Sequence, residues 1–101
     1  MKKTEFYTMI RDRETRKICA ALVRGYTDGT FWYYRDAECE EWFAVHPMVG
    51  LSVARGETLH EAVSRAYEPD RLKMIKEEID KHGAVMSADY AEAVFVAKEA
   101  L

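Results

Sequence analysis

The sequence predicts an α+β domain: an antiparallel β-meander of about five strands in the N-terminal half, followed by three α-helices, at least one of them packed on the sheet. Three observations carry this expectation. Apolar residues before Gly56 come in short runs separated by turn residues. After Gly56 their period changes from two to 3.6. Seven of the twelve aromatic residues fall between Tyr26 and Phe43, where Phe31-Trp32-Tyr33-Tyr34 would make both faces of one strand aromatic, because successive side chains of a strand point to opposite sides.

Residues 6–10 and 17–23 read as the first two strands, joined by the polar hexapeptide Arg11-Asp12-Arg13-Glu14-Thr15-Arg16. Thr8, Ile18 and Val23 are β-branched, and the hexapeptide interrupts rather than continues a helical stripe. Tyr26-Thr27-Asp28-Gly29 is the next turn, with Asp-Gly supplying positive φ. Strand three covers 30–35, strand four 42–46 and strand five 51–55, the last two separated by a turn containing Pro47 and Gly50. In strand five, Leu51 and Val53 are expected on the buried face, joined by Phe43 and Val45. That arrangement leaves Trp42, Ala44 and His46 on the other face.

Thr58-Leu59-His60-Glu61 is a capping box that opens the first helix, which Pro69 ends. Pro69 suits the first turn of a second helix bearing Leu72, Ile75 and Ile79, for which Gly83 is the natural C-terminal cap. Ser87 would cap a third, with Tyr90, Val94, Ala97 and Leu101 on its buried face. The 101 residues are the length of one domain, expected to span 1–101.

The unit from Gly50 to Ala62 resembles the strand-to-helix step of HicB-type antitoxins, whose Gly-x-Thr-x-x-Glu-Ala pattern is met by Gly56, Thr58, Glu61 and Ala62. The resemblance covers about a dozen residues, mostly capping chemistry, and the preceding hairpin lacks the Pro-Gly turn those antitoxins carry. It adds an antitoxin-like partner protein to the alternatives and assigns no residue a role.

The formal charge of −3 is unevenly spread. Residues 1–24 hold seven basic and three acidic groups, residues 25–50 one and five, and residues 51–101 seven and ten. The acidic middle is concentrated in Asp36-Ala37-Glu38-Cys39-Glu40-Glu41, which reads first as a solvated hairpin loop and alternatively as an electrostatic rim beside the aromatic run. With Cys19 and Cys39 twenty positions apart and no C-x-x-C pair, a reduced, cytoplasmic setting is expected. No signal-peptide or membrane-spanning run is present in the sequence, so the expectation is neither secretion nor insertion.

Catalytic patterns fail at named positions. His60-Glu61 begins H-E-x-x-H, but Ser64 stands where the second histidine belongs. Gly50-Leu51-Ser52-Val53-Ala54 resembles G-x-S-x-G, but Ala54 replaces the second glycine. A helix-turn-helix through 69–101 would offer a recognition helix without Arg, Asn or Gln, and RNA stacking on the aromatic strand would meet flanking charge of the wrong sign. No catalytic or metal site and no cofactor is expected, nucleic acid is disfavoured as a partner, and so is a membrane. His46, before Pro47, reads as a turn residue or an interface contact.

The reading that remains is a small non-enzymatic protein-binding domain, with Trp32, Tyr34, Trp42 and His46 as anchors and Asp36, Glu38, Glu40 and Glu41 as an acidic rim facing a basic partner. Its size, mild acidity and lack of motifs suit a phage or mobile-element inhibitor of a host protein such as a CRISPR-type defence nuclease. The alternative is a homodimeric structural or regulatory protein using the same face.

Overall fold

A computed structural model describes residues 1–100. The chain forms a five-stranded antiparallel sheet in the order β1-β2-β3-β4-β5, with strands Lys2–Arg11, Ile18–Thr27, Trp32–Arg35, Trp42–Val45 and Ser52–Gly56. Two helices follow, α1 at Leu59–Ala66 and α2 at Pro69–Glu99. The expected meander and its strand order are present. The expected second and third helices are one.

Four turns join the strands, and three begin with an aspartate that accepts two backbone amides. Asp12 Oδ1 accepts from the amides of Glu14 and Thr15 at 2.8 and 3.1 Å, and Asp36 Oδ1 accepts from those of Glu38 and Cys39 at 2.8 and 3.2 Å. The two turns are built alike. The Asp12 amide donates to Lys17 O and the Asp36 amide to Glu41 O, both at 2.8 Å, while Arg16 and Glu40 take positive φ of 59° and 58°. Asp28 takes the same part in the β2–β3 turn. In the β4–β5 turn His46 replaces the aspartate, its Nδ1 accepting from the Met48 amide at 3.2 Å. A short acceptor that satisfies amides two and three residues ahead is what makes such turns tight.

The ten-residue strands β1 and β2 pair along their whole length, from Lys2 opposite Thr27 to Arg11 opposite Ile18. β1 extends beyond the expected 6–10 at both ends, and β2 begins one residue later than the expected 17–23 and runs four residues past it. Only Tyr26 and Thr27 of β2 pair with β3, so most of the β1–β2 ribbon projects past the short strands. It curls back until the Met9 amide donates to Gly50 O in the β4–β5 turn at 2.8 Å, and the Thr8 hydroxyl donates to the same carbonyl at 3.3 Å. Following the pairings, Lys2 is level with Thr27, Trp32, Val45 and Ser52. Because β1 nevertheless meets the turn at Met9, the strands stagger around the curl, which is the geometry a barrel needs to close. A register shift between Ala44 and Val45 adds to the bend.

The concave face is filled by the sheet's own aromatics. Phe6 stacks on Trp32 with centroids 4.8 Å apart and meets Tyr34 edge-on at 6.0 Å, and Tyr34 stacks on Phe43 at 5.6 Å. Val45 and Thr8 are fully buried there. Gly25 lies between the two layers, and any Cβ at that position would collide with the Tyr33 carbonyl oxygen. The close approach of β2 to β3 therefore requires glycine.

The convex face is covered by α1. Phe31, Tyr33, Ala44 and Ala54 pack against Ala62 and Ala66, with Trp42, Val53, Leu59, Val63 and Ile75 around them. Small residues on both sides let helix and sheet approach closely. The expected alternation in β5 is reversed here: Ala54 is buried with Ala44, whereas Leu51 precedes the strand and is exposed. Thr58 caps α1, accepting from the Glu61 amide at 3.1 Å, but the Glu61 carboxylate reaches the Glu57 amide rather than that of Thr58.

Helix α2 starts at Pro69 as expected and runs 31 residues without a break. Gly83 is buried inside it, 3.6 Å in Cβ terms from Met48 Cε, and Ser87 is an interior residue. The inner stripe Ile75, Ile79, Gly83, Met86, Tyr90 and Ala97 keeps helical spacing straight through Gly83. One glycine costs a helix about 1 kcal/mol, less than the packing a second cap and turn would give up. The Tyr90 hydroxyl donates to the Tyr7 carbonyl on the outer edge of β1. The expected place of Leu101 on this face lies outside the described residues.

The opposite edge, β5, is closed by side chains. Arg71 Nη1 donates to Val53 O at 2.6 Å and Arg65 Nη1 to Arg55 O at 2.7 Å. Alternate carbonyls of the edge strand are thereby capped, which blocks the addition of another strand.

Candidate functional site

The eight residues expected to form one contact surface do not form one. Trp32 and Tyr34 pair across β3 and β4 with Val45 and Phe43, which places them on the concave face. Trp42 pairs with Arg35 and lies on the convex face, packed on the α1 core and 6.2 Å from Tyr26 between ring centroids. Tyr34 is 6% exposed. Burial, then the nearby Asp36 charge, raises its hydroxyl pKa. The mistaken grouping follows from the register, since facing residues of an antiparallel pair share a side and strand four is in the opposite phase to that expected.

The acidic residues of 36–41 are largely engaged within the chain. Asp36 holds its own turn. Glu38 pairs with Arg13 at 2.7 Å, tying the two similar turns together, and Glu41 lies 3.6 Å from Arg55. Both pairs are exposed and contribute about 0–1 kcal/mol each. Glu40 is exposed at the positive-φ position and has no salt bridge among the described residues. The likeness of Asp12–Lys17 to Asp36–Glu41 was available in the sequence and identifies Asp36 as a turn-former.

His46 belongs to the turn. Its carbonyl accepts from the amides of Val49 and Gly50, its amide donates to Leu51 O, and its ring meets Phe31 edge-on at 6.1 Å. With Nδ1 accepting from Met48, the neutral ring carries its proton on Nε2. Burial lowers its pKa.

Beside His46 lies a cleft of about 300 Å³ between the first half of α2 and the β4–β5 turn. Val49, Leu51, Met74, Ile75, Ile79 and Met86 make most of its wall, and Ser52, Arg71 and Glu78 reach it as well. Nucleophilic catalysis needs a hydroxyl within hydrogen-bond reach of its base. The described residues show no hydrogen bond between Ser52 and His46, and the one ring atom of His46 that accepts is taken by the Met48 amide. Arg71 Nε is buried here without a partner.

A second hub sits at the other end of the convex face. Asp28 Oδ2 accepts from the hydroxyls of Tyr33 and Tyr67 at 2.7 and 2.8 Å, while Oδ1 accepts from the amides of Thr30 and Phe31 at 2.9 Å each. Burial raises the Asp28 pKa, but the bonds from Phe31, Tyr33, Thr30 and Tyr67 outweigh it and hold the carboxyl below its ordinary value. The Tyr33 hydroxyl is pushed up, by burial first and by Asp28 second. This hub joins the β2–β3 turn, the core and the end of α1, and its role is structural.

The outward face of α2 is where large apolar side chains meet solvent. Val85, Phe95 and Val96 are 65%, 64% and 59% exposed; Val96 lines a cleft with Met9, Ile18 and Ala20 of the β1–β2 ribbon. Between Gly83 and Ala97 the only charged residues are Asp89 and Glu92. This half of the helix thus exposes apolar side chains with Glu92 among them, as well as packing an apolar stripe inward. Sequence reasoning missed it because dividing the helix at Gly83 hid the outer stripe.

Among the described residues no helix is long and apolar enough to cross a membrane, and no group of three or more His, Cys, Asp or Glu is placed to hold a metal ion. Comparison with known proteins finds no matching family, no similar curated protein and no similar solved structure.

Proposed function

We propose that this chain is a non-catalytic protein-binding domain whose contact surface is the outward face of the second half of α2. One observation carries the reading: among the described residues, Val85, Phe95 and Val96 stand about two-thirds exposed on one helix. Large apolar side chains left exposed along one element mark interaction sites, and an aromatic anchor such as Phe95 is a common centre of binding energy. The contact surface moves to α2 from the aromatic strand, whose Trp32 and Tyr34 pack within the curl and whose Tyr33 packs under α1.

Two members of this class are proposed. One is an inhibitor that acts by occupying a larger protein such as a CRISPR-type defence nuclease, a reading supported by small size and by the apolar side chains that α2 exposes. The other is a self-associating regulator. A photo-crosslinking residue placed at Phe95 should form protein adducts in cells, whereas the same group at the exposed Arg24 should form few. Equal labelling at both positions would overturn the proposed face. For the inhibitor, co-expression with a CRISPR nuclease should restore phage plating, and Phe95→Asp should remove that effect; unchanged interference would sink that member of the class.

A further inference from the structure

The cleft beside His46 holds a charge that no carboxylate of the described residues pairs with. Arg71 lines it and is half-buried. Its one hydrogen bond there runs from Nη1 to Val53 O at 2.6 Å, it forms no salt bridge, and its Nε is out of contact with solvent and without an acceptor. Buried donors are normally satisfied and buried charge is normally paired. Water offers an acceptor but no counter-charge, which points to an anion.

We propose that this cleft binds a medium-chain aliphatic monocarboxylate, its carboxylate on Arg71 and its chain between α2 and the β4–β5 turn. The site is independent of the helix surface proposed above. In a guanidinium, Nη1 lies on the Cδ side, so Nε–H and Nη2–H point together along the other edge, the one that meets a carboxylate with two parallel bonds. Two further donors stand on the strand side of the cleft. Ser52 lies between Val53, whose carbonyl holds Arg71, and Leu51, whose carbonyl accepts from the His46 amide at 3.0 Å. The Ser52 hydroxyl and the Nε2–H of the neutral His46 ring both belong to side chains that line the cleft.

Walls and volume specify the rest of the ligand. Leu51, Met74, Ile75, Ile79 and Met86 present aliphatic and thioether groups, surfaces that adapt to a flexible chain. At roughly 30 Å³ for each water-sized group, the cleft of about 300 Å³ takes the equivalent of octanoate. Glu78 also lines it, seven residues beyond Arg71 on the same face of α2 and so roughly 10 Å further along the axis. Its exposed carboxylate stands where the far end of such a chain arrives. A second acid on the ligand would meet like charge there, which restricts the class to monocarboxylates.

Octanoate titrated into the purified full chain, followed by NMR of the methionine methyl groups, tests the site, because Met74 and Met86 line this cleft and Met9 lines the one beside the β1–β2 ribbon. The Met74 and Met86 signals should shift and saturate with a Kd below about 1 mM, while that of Met9 stays in place. 1-Octanol, which lacks the charge, should bind at least about tenfold more weakly. Octanedioate should also bind more weakly than octanoate, and Glu78→Gln should narrow that gap. Arg71→Lys keeps a charge but loses the fork, and should weaken octanoate about tenfold with helix content by circular dichroism unchanged. Equal binding of octanoate and 1-octanol, shifts at Met9 in place of Met74 and Met86, or no saturation up to about 10 mM octanoate overturns the inference. Octanedioate binding as tightly as octanoate overturns the monocarboxylate class. These ligand comparisons use the unaltered chain, so they decide the question even if Arg71→Lys fails to fold.

Discussion

Replacing Asp28 by alanine should destabilise the domain by about 2–4 kcal/mol, a sum that follows from where its four hydrogen bonds go. The Tyr33 hydroxyl belongs to a residue that is 0% exposed. Left without its acceptor it carries a desolvation penalty of about 1–3 kcal/mol. The amides of Thr30 and Phe31 close the β2–β3 turn, and their loss resembles that of a helix cap, about 1 kcal/mol. Tyr67 is 40% exposed and can turn to water, so its share is small.

Urea unfolding followed by tryptophan fluorescence measures the total. A cycle with Tyr33→Phe isolates the buried bond: Asp28→Ala should cost about 1–3 kcal/mol less in the Tyr33→Phe background. The pH dependence has a fixed sign, because the folded-state pKa of Asp28 lies below the unfolded value. Its contribution is present above the ordinary carboxylate range and is lost as pH falls through the lowered folded-state value. Asp28→Asn should therefore be less stable than the parent at neutral pH, with the gap narrowing in acid. A cost under about 1 kcal/mol for Asp28→Ala, or equal costs in both backgrounds, would refute the hub.

Three further outcomes are expected. Gly83→Ala tests the unbroken helix: inside it, alanine should be neutral or stabilising by up to about 1 kcal/mol, less whatever Ile79 Cγ2 requires at 3.1 Å, whereas at a left-handed cap it would destabilise by about 1 kcal/mol or more. Arg71→Ala removes the cap on Val53 O but also removes a buried Nε without a partner, so thermal unfolding should show a loss of only about 1 kcal/mol; the larger change should be concentration-dependent aggregation as the β5 edge opens, and clear solutions in light scattering would argue against the capping role. Burial lowers the pKa of His46, so its contribution is present above the unfolded value near 6.5 and is lost as pH falls through the folded one; His46→Asn should flatten the stability profile below about pH 6.5, and an unchanged slope would count against burial as the cause.

The strands were legible in the sequence because their turns are. Gly29, Gly50 and the aspartates at 12, 28 and 36 break the chain at the right places, and Thr58 and Pro69 mark both helix starts. Three features escaped for physical reasons. Gly83 resembles a cap in isolation, but the inner stripe that continues through it binds the helix more than one glycine loosens it. The split of the aromatics between two faces depends on the phase of β4 against β3, which local pattern does not encode and cross-strand pairing decides. The filling of the concave face requires curl, which depends on Gly25 and the bend at Ala44–Val45 acting together over half the chain. The acidic segment was legible as a hairpin loop, and its spacing, shared with residues 12–17, identifies Asp36 as the residue that holds it.

The bond between Tyr7 and Tyr90 joins residues 83 positions apart, and it has a temporal meaning. At a synthesis rate of about 5–20 residues per second, Tyr7 of β1 is made roughly 4–17 s before the tyrosine that covers its outer edge. The β1–β2 hairpin can form early, since it is local, but the closing of the curl at Met9 and Gly50 and its locking by α2 are late, non-local steps of the kind that slow folding. Pulse-labelled hydrogen exchange during refolding should show the Met9 amide among the last to gain protection. The first strand of this protein is thus finished by its last helix.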